Sequence, residues 1–489
     1  MIIALSDDYQ RIVQSIVQKM PIITAVAQQL QMQERRLFLV GGAVRDIYMH
    51  AFSVDHDIDI EVHGVSLVEL EQMLRQFGTV MQVGKSFGVL KVAGVSIDWS
   101  LPRLDSSGRK PQVTIVENLS IEQALARRDV TINAMAIDLC AHKLYDPFHG
   151  LADLHAKILR TPHPDFFIQD PLRFYRVMQF IGRFEMYPDQ ILQSVCQSMD
   201  ISSVSRERIE LEFHKLMLKS ARPSLGIRWL RDVNRIREIL PEVAQLCGVM
   251  QQADYHPEGD VFEHTMQALD AAAELTYEHI DQPGPMPSHG CEPGPMPLHG
   301  YRKLTIMYAA LCHDLGKVST TQCIDGRLRS FGHEIAGVPL ARSLLQRITL
   351  HKELIEKVCL LVRYHMMPGG LVKGNASLAA YKRLAAALGS SVNMYMLSLL
   401  AVADRRGRNS DVSSGKPLQD DVPMVDTFIK RAQQAGVLYH SEAPILTGKD
   451  LLDVMQPGPL LGKVVAKAYA IQINKGITDK AELKRRALA

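Results

Sequence analysis

Two aspartates set two residues apart, in the run Asp55-His56-Asp57-Ile58-Asp59-Ile60-Glu61, are the chain's clearest chemical signal. Side chains alternate along a strand, so Asp57 and Asp59 share one face while Ile58 and Ile60 turn into the core. Carboxylates fixed side by side repel unless a cation lies between them. Hard oxygen ligands of this kind suit Mg²⁺, which keeps part of its water shell and bridges to substrate phosphates. A pair of such ions can activate an attacking hydroxyl and clamp a leaving pyrophosphate. Asp98, in the run Val95 to Trp99, has the position of a third carboxylate and reads equally as an ordinary exposed aspartate.

Ahead of this pair, Leu37-Phe38-Leu39-Val40-Gly41-Gly42-Ala43-Val44-Arg45-Asp46 reads as a strand entering a double glycine and then a helix. Gly41 and Gly42 allow a tight turn and leave no side chain between backbone N–H groups and a triphosphate. Arg45, one turn on, is placed to add a charge-assisted bond to a phosphate oxygen. A plain structural turn uses the same residues. Arg127-Arg128-Asp129-Val130-Thr131-Ile132-Asn133 reads as a basic helix start with an Asn cap. In Gln169-Asp170-Pro171-Leu172-Arg173-Phe174-Tyr175-Arg176, the spacing puts Asp170 and Arg173 on one helical face. They can read the edge of a base there, or simply pair with each other.

A second constellation lies towards the rear: His264, then Cys312-His313-Asp314-Leu315-Gly316-Lys317, His333, His365 and Asp404 in Ala403-Asp404-Arg405-Arg406-Gly407-Arg408. Each is unexceptional alone. As an ordered series of imidazoles and carboxylates they suit one or two divalent transition metals, whose bound water can attack a phosphate ester.

The elements that must position these groups change character along the chain. Residues 8–34 carry apolar positions at helical spacing, with a break at Pro21, and read as a helical extension ahead of the first strand. From Leu37 to about Asp146, short β-branched runs punctuated by glycine predict a small mixed sheet: 37–40, 58–62, 89–92, 95–99 and 134–138. Beyond Pro147 the strand signals fade, and amphipathic stretches at 171–184, 206–219 and 225–240 predict a helical body. A tandem Pro/Gly repeat at 281–300 predicts an irregular surface insertion.

Composition narrows the setting. The 489 residues are 47% apolar, enough for several cores, and the net charge of +2 gives no bulk sign of nucleic acid, so any RNA-binding face must come from local clusters. Seven scattered cysteines with no CxxC pair predict reduced thiols. No basic, apolar leader or membrane-length apolar run is evident, which predicts a cytoplasmic protein with no membrane partner.

The Gly-Gly-Ala-Val-Arg-Asp turn followed by Asp57-x-Asp59 resembles the signature of class II tRNA nucleotidyltransferases and the related bacterial poly(A) polymerases, in the polymerase-β-like superfamily. Arg127 to Ala134 is similar to that family's second motif, and Asp146-Pro147-Phe148-His149-Gly150 to its hinge. The 169–176 run resembles its amino-acid template, with Gln169 in place of the family's Glu. The polar segment Pro102 to Pro111, with Arg109 and Lys110, is similar to the flexible loop of full CCA-adding enzymes. The rear series resembles an HD phosphohydrolase domain fused to such enzymes.

The resemblance implies an α+β head at 37–146 after a 1–36 extension, a helical neck and body at 147–250, an HD-type metal domain at 251–410 and a helical tail at 411–489. It implies addition of CCA to the 3′ end of tRNA from CTP and ATP. Asp57 and Asp59 would be catalytic and hold Mg²⁺, with Asp98 a third carboxylate. Gly41, Gly42, Arg45, Arg127, Arg128, Asn133, Asp170, Arg173 and Arg176 would bind the nucleotide, and His264, His313, Asp314 and Asp404 a rear metal. The competing readings are a poly(A) polymerase, an A-adding enzyme, or a metal phosphohydrolase with a non-catalytic RNA-binding head.

Overall fold

The computed structural model describes residues 1–31, 35–53, 58–83, 88–105, 113–117, 119–277, 298–412 and 416–489. They form two compact units, Met1–Val204 and Ser205–Ala489, the break falling inside the helical segment expected at 147–250. The architecture is α+β: a mixed sheet in the first unit, with helices making up most of the rest.

The sheet of the first unit has eight strands: β1 (Ile2–Ala4), β2 (Arg36–Val40), β3 (Ile58–His63), β4 (Val80–Val83), β5 (Val89–Val92), β6 (Ile97–Ser100) and, beyond a separate hairpin of β7 (Arg103–Asp105) and β8 (Val113–Ile115), β9 (Ala136–Asp138) and β10 (Lys143–Tyr145). Their order is β1-β10-β9-β2-β3-β6-β5-β4, with β3 and β6 parallel and every other neighbouring pair antiparallel. The hairpin of β7 and β8 brackets the polar segment expected as a loop; Arg109 and Lys110 lie outside the described residues.

β1 corrects the reading of residues 1–36 as a purely helical extension. Ile2–Ala4 pairs antiparallel with β10, Ile3 opposite Leu144, so the head sheet includes the first residues of the chain. The helical periodicity that follows does form helices, α1 (Asp7–Lys19) and α2 (Pro21–Gln31), separated at Pro21. Proline is tolerated there because a first-turn N–H has no intrahelical partner. Val13, Ile16, Ile23, Val26 and Leu30 share one core with Leu37, Leu39, Ile58, Ile60 and Val62. That core also takes in residues of α3 (Gly42–Tyr48) and α4 (Leu67–Arg75).

The period of two along β2 and β3 separates the faces. Leu37 and Leu39 enter the large core, whereas Phe38 and Val40 join Ala134, Ala136 and Leu125 of α5 (Ile121–Ala126) in a smaller one. On β3, Ile58, Ile60 and Val62 fill the large core, which leaves Asp59, Glu61 and His63 on the other face. Asp57 lies outside the described residues.

At the expected hinge, the residue with left-handed backbone is His149, φ +60°, while Gly150 opens α6 (Gly150–Ala156). The Asp146 carboxylate caps that helix, accepting Gly150 N–H at 2.6 Å and Leu151 N–H at 3.0 Å. Glycine is needed at 150 for close approach: a Cβ would overlap the Thr131 carbonyl, a backbone atom that cannot swing aside. Gly150→Ala is therefore expected to cost about 3 kcal/mol and to lower the unfolding midpoint of this unit by roughly 6–12 °C in a thermal melt. An unchanged midpoint would mean that α6 can slide away from Thr131 freely. The unit ends with α7 (Pro164–Phe167), α8 (Leu172–Phe184) and α9 (Gln190–Ser198).

Among its described residues, the second unit is built of helices with one hairpin, Gln322–Ile324 with Arg327–Arg329. Helix Arg206–Lys219 matches the expected span. The helix expected at 225–240 is instead two, Ser224–Asp232 and Ile236–Ile239, broken where Asn234 takes φ +58°. The 281–300 insertion is corrected at its end, since helix Leu298–Cys312 begins inside it; residues 281–297 lie outside the described residues. Among the described residues no helix is long and apolar enough to cross a membrane.

Candidate active site and candidate metal centre

The head site gathers where β2 ends. Gly41 adopts φ +72°, and a Cβ there would stand 2.6 Å from Arg128 Nη1 and 3.4 Å from Asp59 Oδ2. Glycine thus serves both the turn and the close approach of a carboxylate and a guanidinium. Asp59 and Asp98 are register partners on the parallel strands β3 and β6, so their side chains stand on one face at about the 4.8 Å strand spacing. Lys91, opposite Asp98 on β5, places Nζ 2.6 Å from Asp98 Oδ1. Its ammonium supplies the positive charge that such a carboxylate pair requires.

Arg45 departs from the expectation of a phosphate contact. It is buried, its Nε and Nη2 donate to Asp46 Oδ1 at 2.8 and 2.7 Å, and Nη1 donates to Asn133 Oδ1 at 2.6 Å. The guanidinium also lies 4.4 Å from the centroid of the Phe184 ring. Asn133 Nδ2 donates in turn to Asp129 Oδ1 at 3.1 Å, and Asp129 Oδ2 accepts from Arg176 Nε at 2.6 Å. A continuous polar chain therefore ties the glycine-turn helix α3 to α8 through residues 129 and 133. Burial raises the Asp129 carboxyl, but Arg176, Asn133 and Arg173 outweigh it and hold it down at about 2, so it stays ionised as an acceptor.

Asp170 and Arg173 are near one another but do not share a helix. α8 begins at Leu172, and Asp170 Oδ1 accepts the Leu172 N–H at 3.2 Å, a local capping bond that spacing alone does not predict. Arg173 donates Nη1 to Phe166 O at 2.6 Å and Nη2 to Arg127 O at 2.5 Å. Gln169 is exposed, and the two backbone carbonyls orient the guanidinium.

Sequence reasoning missed Glu61 and His63, although the alternation that pairs Asp57 with Asp59 extends to both. Glu61 Oε1 lies 2.8 Å from His63 Nε2, and Oε2 lies 3.9 Å from Arg127 Nη2. Burial raises the Glu61 carboxyl, yet His63, Arg128 and Arg127 together hold it below its ordinary range.

In the second unit, His264, His313 and Asp404 form one cluster of converging ligand atoms, and Asp314, His333 and His365 form another. His313 and His264 face each other through Nε2 at 3.2 Å, and His333 and His365 do so at 3.1 Å. Backbone carbonyls lie against all four Nδ1 atoms: Ala310 O at 2.8 Å, Gly407 O at 3.1 Å, Ser330 O at 2.7 Å and Val362 O at 2.7 Å. A carbonyl only accepts, so each Nδ1 carries a proton and it is Nε2 that each ring turns inward.

Nε2 atoms facing each other this closely are held by a shared proton or by a bound cation. Asp314 joins the halves: Oδ2 is 3.2 Å from His313 Nε2 and 3.6 Å from His264 Nε2, while Oδ1 is 3.3 Å from His333 Nε2. Burial lowers the His264 imidazole, but hydrogen bonds to Asp404 and Glu258 push it up to about 9, whereas burial and neighbouring imidazoles push His365 down to about 3. Lys317 Nζ, 2.7 Å from Asp314 Oδ2, and Arg408 Nη2, 2.8 Å from Asp404 Oδ1, add fixed positive charge.

Residues 37–160 match the family described as the poly A polymerase head domain. The chain is 32% identical to a multifunctional CCA protein of Pasteurella multocida over 76% of this chain and 84% of that one, and 29% identical to one of Xanthomonas axonopodis pv. citri over 88% and 97%. In fold it is similar to a Bacillus stearothermophilus CCA-adding enzyme in complex with CTP, at TM-score 0.61 and 17% identity over 96% of this chain and 97% of that one. It is likewise similar to the Thermotoga maritima CCA-adding enzyme complexed with tRNA, at TM-score 0.55 and 17% identity over 97% and 98%. With a third of positions shared, 32%, across 84% of the Pasteurella protein, the chain belongs to the multifunctional CCA protein family.

Proposed function

We propose that this chain is a CCA-adding tRNA nucleotidyltransferase, extending the 3′ end of tRNA with CTP and ATP and releasing pyrophosphate. The observation that carries the reading is the in-register pair Asp59 and Asp98, set beside Gly41 and Arg128. Family membership and structural neighbours solved with CTP, with ATP and with tRNA support it.

The donor set fits a hard divalent cation, since Asp59 and Asp98 stand in register on one face; an ion bound there would share Asp98 with the Lys91 ammonium or displace it. Asp59 and Asp98, with Asp57, would hold Mg²⁺, which when bound would neutralise phosphate charge and acidify the attacking hydroxyl. Arg127, Arg128 and the Gly41–Gly42 backbone receive the triphosphate, and Arg45, Asn133 and Arg176 brace that surface from behind. Asp170 and the carbonyl-anchored Arg173 address the base edge. The RNA 3′-hydroxyl attacks the α-phosphorus in line with the leaving pyrophosphate, and the chain's part is to hold both reactants in that geometry.

The rear cluster supports a second activity on the same chain, an HD-type phosphohydrolase. His264, His313, Asp314 and Asp404, joined by His333 and His365, would hold one or two transition metals supplying a hydrolytic water. Lys317 and Arg408 lie beside it to meet a phosphate. The corresponding organisation is a head at 37–146, a neck and body at 147–250, the metal domain at 251–410 and a tail at 411–489, in a cytoplasmic enzyme.

Incorporation of labelled CTP and ATP into tRNA lacking its 3′ CCA tests the first activity. Addition of two C and one A followed by a stop is expected, with the neutral Gln169 tolerated because carbonyls fix Arg173. Long A tails, A alone, or no incorporation would replace this reading with a poly(A) polymerase, an A-adding enzyme, or a non-catalytic head.

A further inference from the structure

The face of β3 that carries Asp59 continues as Glu61 and His63, and no step of nucleotidyl transfer described above uses either residue. Glu61 is 2% exposed and sits opposite Phe38 of β2 and Ser100 of β6, a position where the sheet would ordinarily place an apolar side chain. A carboxylate buried this deeply stays ionised only with cationic partners at hand. Its partners are His63 Nε2 at 2.8 Å from Oε1 and Arg127 Nη2 at 3.9 Å from Oε2. Arg128 stands beside Gly41 and Asp59.

His63 is itself fixed. Its Nδ1 lies 3.1 Å from Leu119 O, and its ring meets Phe38 edge-on at 5.0 Å between centroids. Glu61 is thus a fixed, negatively charged group within ion-pair reach of Arg127, an arginine assigned to the triphosphate. An arginine left to itself samples many rotamers, and a buried carboxylate 3.9 Å from one of its nitrogens narrows that choice.

We infer that Glu61, buttressed by His63, is a positioning residue that holds Arg127 at the triphosphate-binding site. The inference rests on the nucleotidyl-transfer reading. Charge alone predicts the opposite effect, because a carboxylate near the site repels a triphosphate, and the direction of the KM change therefore separates the two roles.

The test is a double-mutant cycle on the full chain, with Glu61→Gln and Arg127→Lys, singly and together, measured as kcat and KM for CTP addition to tRNA lacking CCA. Glu61→Gln should raise KM about tenfold and leave kcat within about threefold, the signature of lost binding rather than lost chemistry. The double variant should lose no more kcat/KM than the weaker single variant, because the second change removes what the first had already released. An unchanged or lowered KM, or strictly additive losses, would overturn the inference. His63→Gln covers the case in which Glu61→Gln does not fold: it should raise KM in the same direction but less, and a lowered melting temperature with unchanged KM would count against positioning. If the wild-type chain incorporates no CTP, the transfer reading and this inference fall together; if it does and the cycle is additive, only the inference falls.

Discussion

Asp59→Asn is expected to lower single-turnover CTP addition by a factor on the order of 10³, mostly in kcat, while binding of tRNA and the thermal midpoint stay close to wild type. Asp59 is half-buried at the end of the sheet and belongs to neither hydrophobic core of the head, so its loss leaves packing intact. What goes is one of two carboxylates set on one face by the β3–β6 register, and the amide that replaces it brings no charge to a divalent cation or to the phosphates. Hydrolysis of a phosphate ester by the rear centre should be unaffected, since that centre is built within the other unit. Retention of more than about a tenth of the activity would remove Asp59 from the reacting centre, a loss of one electrostatic contact there being worth 10² or more.

Asp314→Asn is the converse case. Both of its oxygens are committed, Oδ2 to His313, His264 and Lys317 and Oδ1 to His333. The variant should lose bound transition metal, read by elemental analysis of the purified protein, and with it at least about a hundredfold of any phosphohydrolase activity. CTP and ATP addition should persist. Removing one member of a buried charged cluster also costs stability, about 3–5 kcal/mol, although Lys317 keeps Gln251 Oε1 at 2.7 Å and the loss should fall towards the lower end. A variant that keeps its full metal content would show that Asp314 is a structural partner of Lys317 and not a ligand.

What could be read from the residues follows from which features are local. The glycine turn, the Asp57-x-Asp59 alternation and helix Arg206–Lys219 are each specified by neighbours a few positions apart. Arg45 is not: position one turn into a helix says nothing about where its guanidinium points, and its partner Asn133 lies 88 residues further on. The spacing of Asp170 and Arg173 predicts helical neighbours, but the Asp170 side chain competes with the backbone and caps α8 from outside it. Glu61 and His63 were legible by the same alternation as the aspartates, and only their burial, a tertiary property, shows that they face each other, with Arg127 beside Glu61, and not solvent. The rear histidines were legible as a series; that Asp314 divides its two oxygens between them was not.

β1 has a consequence for how the chain is made. Among the described residues, Ile2–Ala4 pairs as a strand with Lys143–Tyr145. At roughly 5–20 residues per second, synthesis delivers that partner about 7–28 seconds after the strand itself has been made. Over that interval the apolar start of the chain has no ladder to join, and β9, the inner neighbour of β2, arrives equally late. Vectorial synthesis therefore makes α1 and α2 wait on residues beyond 136 for a finished sheet, and the newborn head is the stage at which chaperone binding to this chain should be concentrated.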